Sequence, residues 1–203
     1  MIEFLNSTIK TLLETSIYEI FAMLLSILYL ILAIKQSLWC WPAAFISTSI
    51  YIILFFDADL LMDSFLNFYY LIMAIYGWYS WKFTNNINKK NELKVSSLSI
   101  TKNIKDTFTL IIISLTLGFF MKNYTTADYA YIDTFTTIFS IYSTYLLAKK
   151  VIENWIYWII IDCISIYIYI NKQFYLTAIL FLIYTILAFI AYVQWKKEYI
   201  YAR

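Results

Sequence analysis

The chain has 203 residues, 63% of them hydrophobic and 14% charged, with a net charge of +2, two glycines, one proline and no histidine. This composition lies far from that of soluble domains and marks an integral membrane protein; without histidine, the usual zinc, haem and Ser-His constellations have no parts, so neither a metal nor a cofactor is expected. The basic residues are dispersed along membrane flanks and form no nucleic-acid surface, and Cys40 and Cys163 fall in apolar stretches as small buried thiols without a redox role.

Residues 1–15 are only mildly amphipathic and lack the pattern of a signal peptide, so they read as a short interfacial helix. Seven apolar stretches follow, each a candidate spanning helix: 17–35, 38–56, 60–81, 106–121, 130–148, 154–171 and 174–195, the fourth being the shortest. The longest polar segment, KFTNNINKKNELKVSS, separates the third from the fourth. The expected organisation is an interfacial helix (1–15), a three-helix bundle (16–83), a cytoplasmic loop with a linker helix (84–129), a second three-helix bundle (130–197) and a cytoplasmic tail (198–203). With the N-terminus outside, only Lys10, Lys122 and Lys172 of the 15 basic residues lie outside, so the positive-inside rule orients the chain N-out and C-in.

Three helices, a linker helix and three more suggest duplication. At an offset of 116 residues Trp39 meets Trp155, Ser49-Ile50-Tyr51-Ile52 meets Ser165-Ile166-Tyr167-Ile168, and Tyr76 meets Tyr192. An odd linker makes both triplets start on the same face. The fold class expected is therefore all-α, with seven transmembrane helices as 3+1+3 parallel repeats in the manner of SWEET sugar transporters.

Polar residues fall in stripes at about 100° per residue. Trp155, Trp158, Asp162, Ser165 and Tyr169 share one in the sixth stretch, with Asn154 at its edge and Glu153 just before it. Asp63, Asn67, Tyr70, Gly77 and Trp81 share another in the third, with Trp78 at its margin, and Asp133, Thr136, Thr137, Ser140 and Thr144 a third in the fifth. Ser47 and Tyr51 add a smaller edge on the second. Ionisable groups at bilayer depth cost at least about 2–3 kcal/mol and normally face an internal site. Carboxylates without buried basic partners attract cations, and indole and phenol faces favour an aromatic cation whose hydroxyls or amide Asn67 and Asn154 can bind.

Simpler roles compete. Trp39, Trp41, Trp81 and Trp195, near helix ends, fit an interfacial aromatic belt. Glu153 suits the positive end of a helix dipole, Asp57 and Asp59 a solvated outer turn, and Ser140 and Thr144 a helix-packing surface. A membrane enzyme using the carboxylates is a remote alternative, weakened by the absence of histidine and of buried phosphate-binding bases. A channel is hard to build with two glycines.

LWCWPAAFISTSIYIILFF (38–56), LMDSFLNFYYLIMAIYGWYSW (61–81), AKKVIENWIYWIIIDCISIYIY (148–169) and AYVQWKK (191–197) together resemble the PnuC-type vitamin transporters, a family of nicotinamide riboside carriers with thiamine-associated relatives. The resemblance implies seven helices in a full-length SWEET-like arrangement and one central substrate site. It also implies facilitated diffusion driven by phosphorylation of the substrate by a cytoplasmic kinase, a homotrimer, and residence in the inner membrane of a bacterium. Carried over by position, Asn154, Trp155, Trp158 and Tyr70 are the implied binding residues. Many nicotinamide riboside carriers have glutamine where this chain has Asn67, and Asp63 adds a carboxylate one turn earlier, so thiamine stays open as the alternative substrate.

Overall fold

The computed structural model describes residues 16–58, 61–83, 93–125, 129–172 and 174–201. The expected interfacial helix at 1–15, Asp59, and most of the polar loop between the third and fourth helices lie outside these residues.

All regular structure described is helical, apart from one isolated bridge. The helices are α1 (Ile17–Ile34), α2 (Cys40–Asp57), α3 (Leu61–Phe83), α4 (Ile100–Tyr124), α5 (Ala130–Ala148), α6 (Glu153–Asn171) and α7 (Tyr175–Tyr201). Local chemistry sets their ends. Ser16 caps α1 by accepting the Glu19 N–H at 3.2 Å, and Ser99 caps α4 by accepting that of Lys102 at 3.3 Å. Pro42 sits in the first turn of α2, where its missing N–H costs nothing. The fourth helix is 25 residues long, not the shortest as its apolar run suggests, because the Ser99 cap starts two polar turns ahead of that run.

Four helices, α1, α2, α4 and α7, are long and apolar enough to cross a membrane on composition alone. The other three, α3, α5 and α6, carry the polar stripes, and they pack in sequence with α5 between α3 and α6. Large apolar side chains lie outside instead: Phe21, Leu24, Phe65, Ile72, Phe119, Ile186 and Phe189 are all exposed. Polar groups inward and apolar groups outward is the pattern of a chain dissolved in lipid.

In the first bundle α2 packs between α1 and α3, and in the second α6 packs between α5 and α7. The bundles meet twice, α3 against α5 and α1 against α7. α4 docks on α5, where Gly118 leaves no room for a side chain beside Tyr131, a Cβ there falling 2.5 Å from the ring. Hydrogen bonds add to this docking. Tyr142 donates to Asp106 at 2.5 Å, and the Tyr157 hydroxyl lies 2.8 Å from that of Thr107 and 2.6 Å from Asn103 Oδ1. Gly77 serves the same close approach between α3 and α2, since a Cβ there would fall 2.3 Å from the Trp41 ring. Glu153 does more than face a helix dipole. It accepts from the Ser97 hydroxyl at 2.6 Å and the Leu98 N–H at 3.1 Å, beside the Ser96–Val151 bridge, and so pins the chain entering α4 to the start of α6.

α1 and α5 end alike. Gln36 and Lys150 take positive φ, 52° and 53°, at the position after the helix cap. The following N–H groups fold back, Ser37 to the Leu32 carbonyl at 2.9 Å and Val151 to that of Leu146 at 3.0 Å. This leaves the carbonyls of Ile34 and Ala148 over, and an indole from the opposite bundle takes each: Trp195 Nε1 donates to Ile34 and Trp81 Nε1 to Ala148, both at 3.2 Å. All these equivalent pairs stand 114 residues apart, not the 116 that the sequence alignment suggests.

The expected aromatic belt is corrected by the same contacts. Trp39 is 68% exposed, as a belt residue should be, but Trp41, Trp81 and Trp195 are buried. Cys40 is buried and unpaired as expected, whereas Cys163 is exposed on the outer face of α6.

Candidate functional site

At bilayer depth the side chains of α3, α5, α6 and α7 converge between the bundles. Trp158 on α6 is half-buried, and its ring centroid lies 6.4 Å from that of Tyr70 on α3, the planes tilted by 55°. The Tyr70 hydroxyl hydrogen-bonds with Ser140 on α5, and the ring of Tyr69 stands beside it. One turn beyond Trp158, Asp162 is 3% exposed, with a carboxylate within electrostatic reach of the hydroxyls of both Tyr70 and Tyr184. No lysine or arginine among the described residues pairs with it. Tyr184, on α7, hydrogen-bonds with Ser26 on α1.

The two tyrosine–serine pairs, Tyr70 with Ser140 and Tyr184 with Ser26, again stand 114 residues apart, one at each junction between bundles. Tyr51 on α2 is half-buried, stacks on Phe55 with centroids 5.5 Å apart, and lies within reach of Tyr184. Tyr29 on α1 tilts against Trp41 at 6.4 Å and comes near Tyr70.

Toward the acidic end, Asp63 in the first turn of α3 is exposed and within electrostatic reach of Asp133 on α5 and of Lys172. Tyr169 on α6 borders the same group and stacks on Phe181 at 5.3 Å. Asn67 is half-buried one turn inward and donates to the Asp63 carbonyl at 2.9 Å, leaving its amide oxygen turned elsewhere. The chain thus places two carboxylates, Asp63 and Asp133, near the starts of α3 and α5 and a third, Asp162, in the middle of α6, with the aromatic rings of Tyr70 and Tyr169 near them.

Three expected site residues stand apart. Ser47 is buried and donates to the Ala22 carbonyl at 2.8 Å, a bond that ties α2 to α1. Trp155 is wholly buried and edge-on to Trp195 at 5.3 Å, within the core and not beside Tyr70. Its place on the Trp158–Asp162 stripe is taken up by packing, because the first turn of α6 is enclosed by α7. Asn154, also fully buried, donates to the Val151 carbonyl at 2.6 Å, and its Oδ1 has no partner among the described residues. Thr137 is half-buried on α5, one turn before Ser140.

Tyr184, Ser26 and Tyr29 were not legible as site residues. Each is an isolated polar group on a strongly apolar helix and forms no stripe; the signal that exposes Tyr184 and Ser26 is their equivalence to Tyr70 and Ser140 at the offset of 114.

A cage of this kind suits a flat aromatic cation: faces for stacking, hydroxyls for polar groups and a carboxylate as counter-charge. Comparison with known proteins identifies the family. The family model for the nicotinamide mononucleotide transporter matches residues 16–197. The nicotinamide riboside transporters PnuC of Escherichia coli (strain K12) and of Shigella flexneri are each 25% identical to the chain over 167 residues, covering 70% of it and 70% of their own length. In fold the chain is similar to the crystal structure of a vitamin B3 transporter PnuC, with a TM-score of 0.75 and 17% identity over 97% of this chain and 88% of that one. These relatives are transporters and not enzymes. With the family model running from the first described helix into the last, the chain is a multi-pass membrane protein that belongs to the PnuC-type nicotinamide mononucleotide transporter family.

Proposed function

We propose that the chain carries nicotinamide riboside across the cytoplasmic membrane of a bacterium by facilitated diffusion. The observation that carries this reading is Trp158 facing Tyr70 with the lone carboxylate of Asp162 one turn away, between two bundles. The pyridinium ring packs against the indole and phenol faces, which part from their 6.4 Å contact to admit it, while Asp162 balances its charge. Asn67, Tyr70 and Thr137 supply hydrogen bonds to the ribose and carboxamide, Asp63 and Tyr51 line the approach, and Asn154 supports the fold at the start of α6. Trp155 and Ser47 act through packing.

The two bundles, 16–83 and 130–197, rock about the site as parallel, SWEET-like repeats joined by the linker helix of 84–129. The reciprocal indole–carbonyl and tyrosine–serine pairs support that architecture. The positive-inside rule puts the end bearing Lys35, Lys82, Lys149, Lys150 and Lys196 in the cytoplasm, N-out and C-in. A homotrimer is the assembly implied by the family resemblance. Thiamine is the alternative substrate, since the two carboxylates, Asp63 and Asp133, suit either aromatic cation.

Without a membrane potential a uniporter of a cation equalises concentrations and no more, so accumulation beyond what a potential drives depends on a cytoplasmic kinase that traps the riboside as its phosphate. In liposomes carrying the purified protein, labelled nicotinamide riboside is expected to rise inside to the external concentration and stop there. With a riboside kinase and ATP enclosed, total label is expected to exceed it. Uphill accumulation without kinase or ion gradient would overturn facilitated diffusion.

A further inference from the structure

At the basic end of the bundles four indoles form one chain, Trp41–Trp81–Trp195–Trp155, with centroid separations of 5.1, 6.3 and 5.3 Å. All four are buried, and Lys150 lies 4.7 Å over the Trp81 ring. The middle contact, Trp81 to Trp195, is the step between bundles. Both hydrogen bonds made by these rings cross the same boundary, from α3 to the end of α5 and from α7 to the end of α1. The acceptors are terminal helix carbonyls that the helices themselves leave over, so no other described group satisfies them.

The outer members of the chain behave differently. The indole N–H groups of Trp41 and Trp155 are buried with no acceptor among the described residues. An unsatisfied buried donor disfavours the state that holds it and gains a partner when water enters. Separating the bundles at this end therefore loses two indole–carbonyl bonds and releases two orphaned N–H groups. Losses and gains of similar size are what an element with two alternative arrangements requires.

We propose that Trp81 and Trp195, bonded to the carbonyls of Ala148 and Ile34, are the paired latches of an indole plug that closes the substrate route at its basic end, and that transport requires both latches to open. This rests on the transporter reading above. The polar rim at Asp63 and Asp133 lies at the other end, so the structure is latched on the basic side with its carboxylates toward the opposite one.

Cys40, wholly buried and next to Trp41 in the chain, is a built-in reporter. With Cys163→Ser it is the sole thiol, since the chain has two cysteines. In oriented vesicles, a membrane-impermeant maleimide is expected to label it only from the basic face, and faster when nicotinamide riboside is present on both sides and the carrier cycles. Trp81→Phe and Trp195→Phe keep an aromatic ring but remove the donor; each is expected to raise labelling from the basic face roughly five-fold without substrate. Binding of the riboside should persist. If the Cys163→Ser protein transports riboside while Cys40 labelling responds neither to substrate nor to either Phe variant, the latch is wrong and the indoles are packing alone. Should a Phe variant fail to fold, the substrate response of the Cys163→Ser protein decides. Absence of riboside uptake by the Cys163→Ser protein would overturn the transporter reading itself and the latch with it.

Discussion

Trp158→Ala is expected to weaken nicotinamide riboside binding by roughly five- to 150-fold, the worth of about 1–3 kcal/mol for one stacked ring, and to leave the fold intact. Trp158 is half-buried and looks across to Tyr70, so its removal enlarges the site without emptying the core. Trp155→Ala should behave in the opposite way. That ring is wholly buried against Trp195, and truncating a buried tryptophan costs about 3–5 kcal/mol of stability. Thermal unfolding in detergent together with equilibrium binding separates the two: an unchanged Tm with lost binding for Trp158→Ala, and a lowered Tm for Trp155→Ala. The reverse pattern would move the binding surface from the Trp158 side of α6 to the Trp155 side.

Asp162→Asn is expected to remove selectivity for positive charge. The substitution preserves shape and takes away the one carboxylate near Tyr70 and Tyr184 that has no basic partner among the described residues. A unit charge about 7 Å away, at an effective dielectric of about 20, contributes about 2 kcal/mol, which is roughly thirty-fold in affinity. Binding of the cationic riboside should fall by that factor. The uncharged dihydronicotinamide riboside, of nearly the same shape, should bind the variant as well as it binds the wild type. Equal losses for both compounds would mean that Asp162 holds helices together and does not read charge.

Much of the helical layout was legible because lipid imposes a length and an apolarity on each span, so most predicted ends fall within about three residues of the helices, apart from those of α4 and the long end of α7. α4 was misjudged because its first turns, Thr101 to Asp106, are polar and lie ahead of the apolar run. The polar stripes of α3, α5 and α6 correctly marked the helices that turn toward one another, since an ionisable group has few other places to go. Position along a stripe was a poorer guide. Trp155 and Trp158 are three residues apart on one face, yet one is sealed by α7 and the other meets Tyr70 across the bundles. Likewise a tryptophan near a helix end fits a lipid interface or a buried plug equally well, and only tertiary packing separates Trp39 from Trp41.

The most direct measurement is uptake of labelled nicotinamide riboside and labelled thiamine, side by side, into liposomes carrying the purified protein, with Trp158→Ala liposomes as the control. Saturable entry of the riboside is expected, reduced in the Trp158→Ala liposomes at the same external concentration. Saturable entry of thiamine with no entry of the riboside would contradict that expectation, and would make Asp63 and Asn67 the residues that select the substrate.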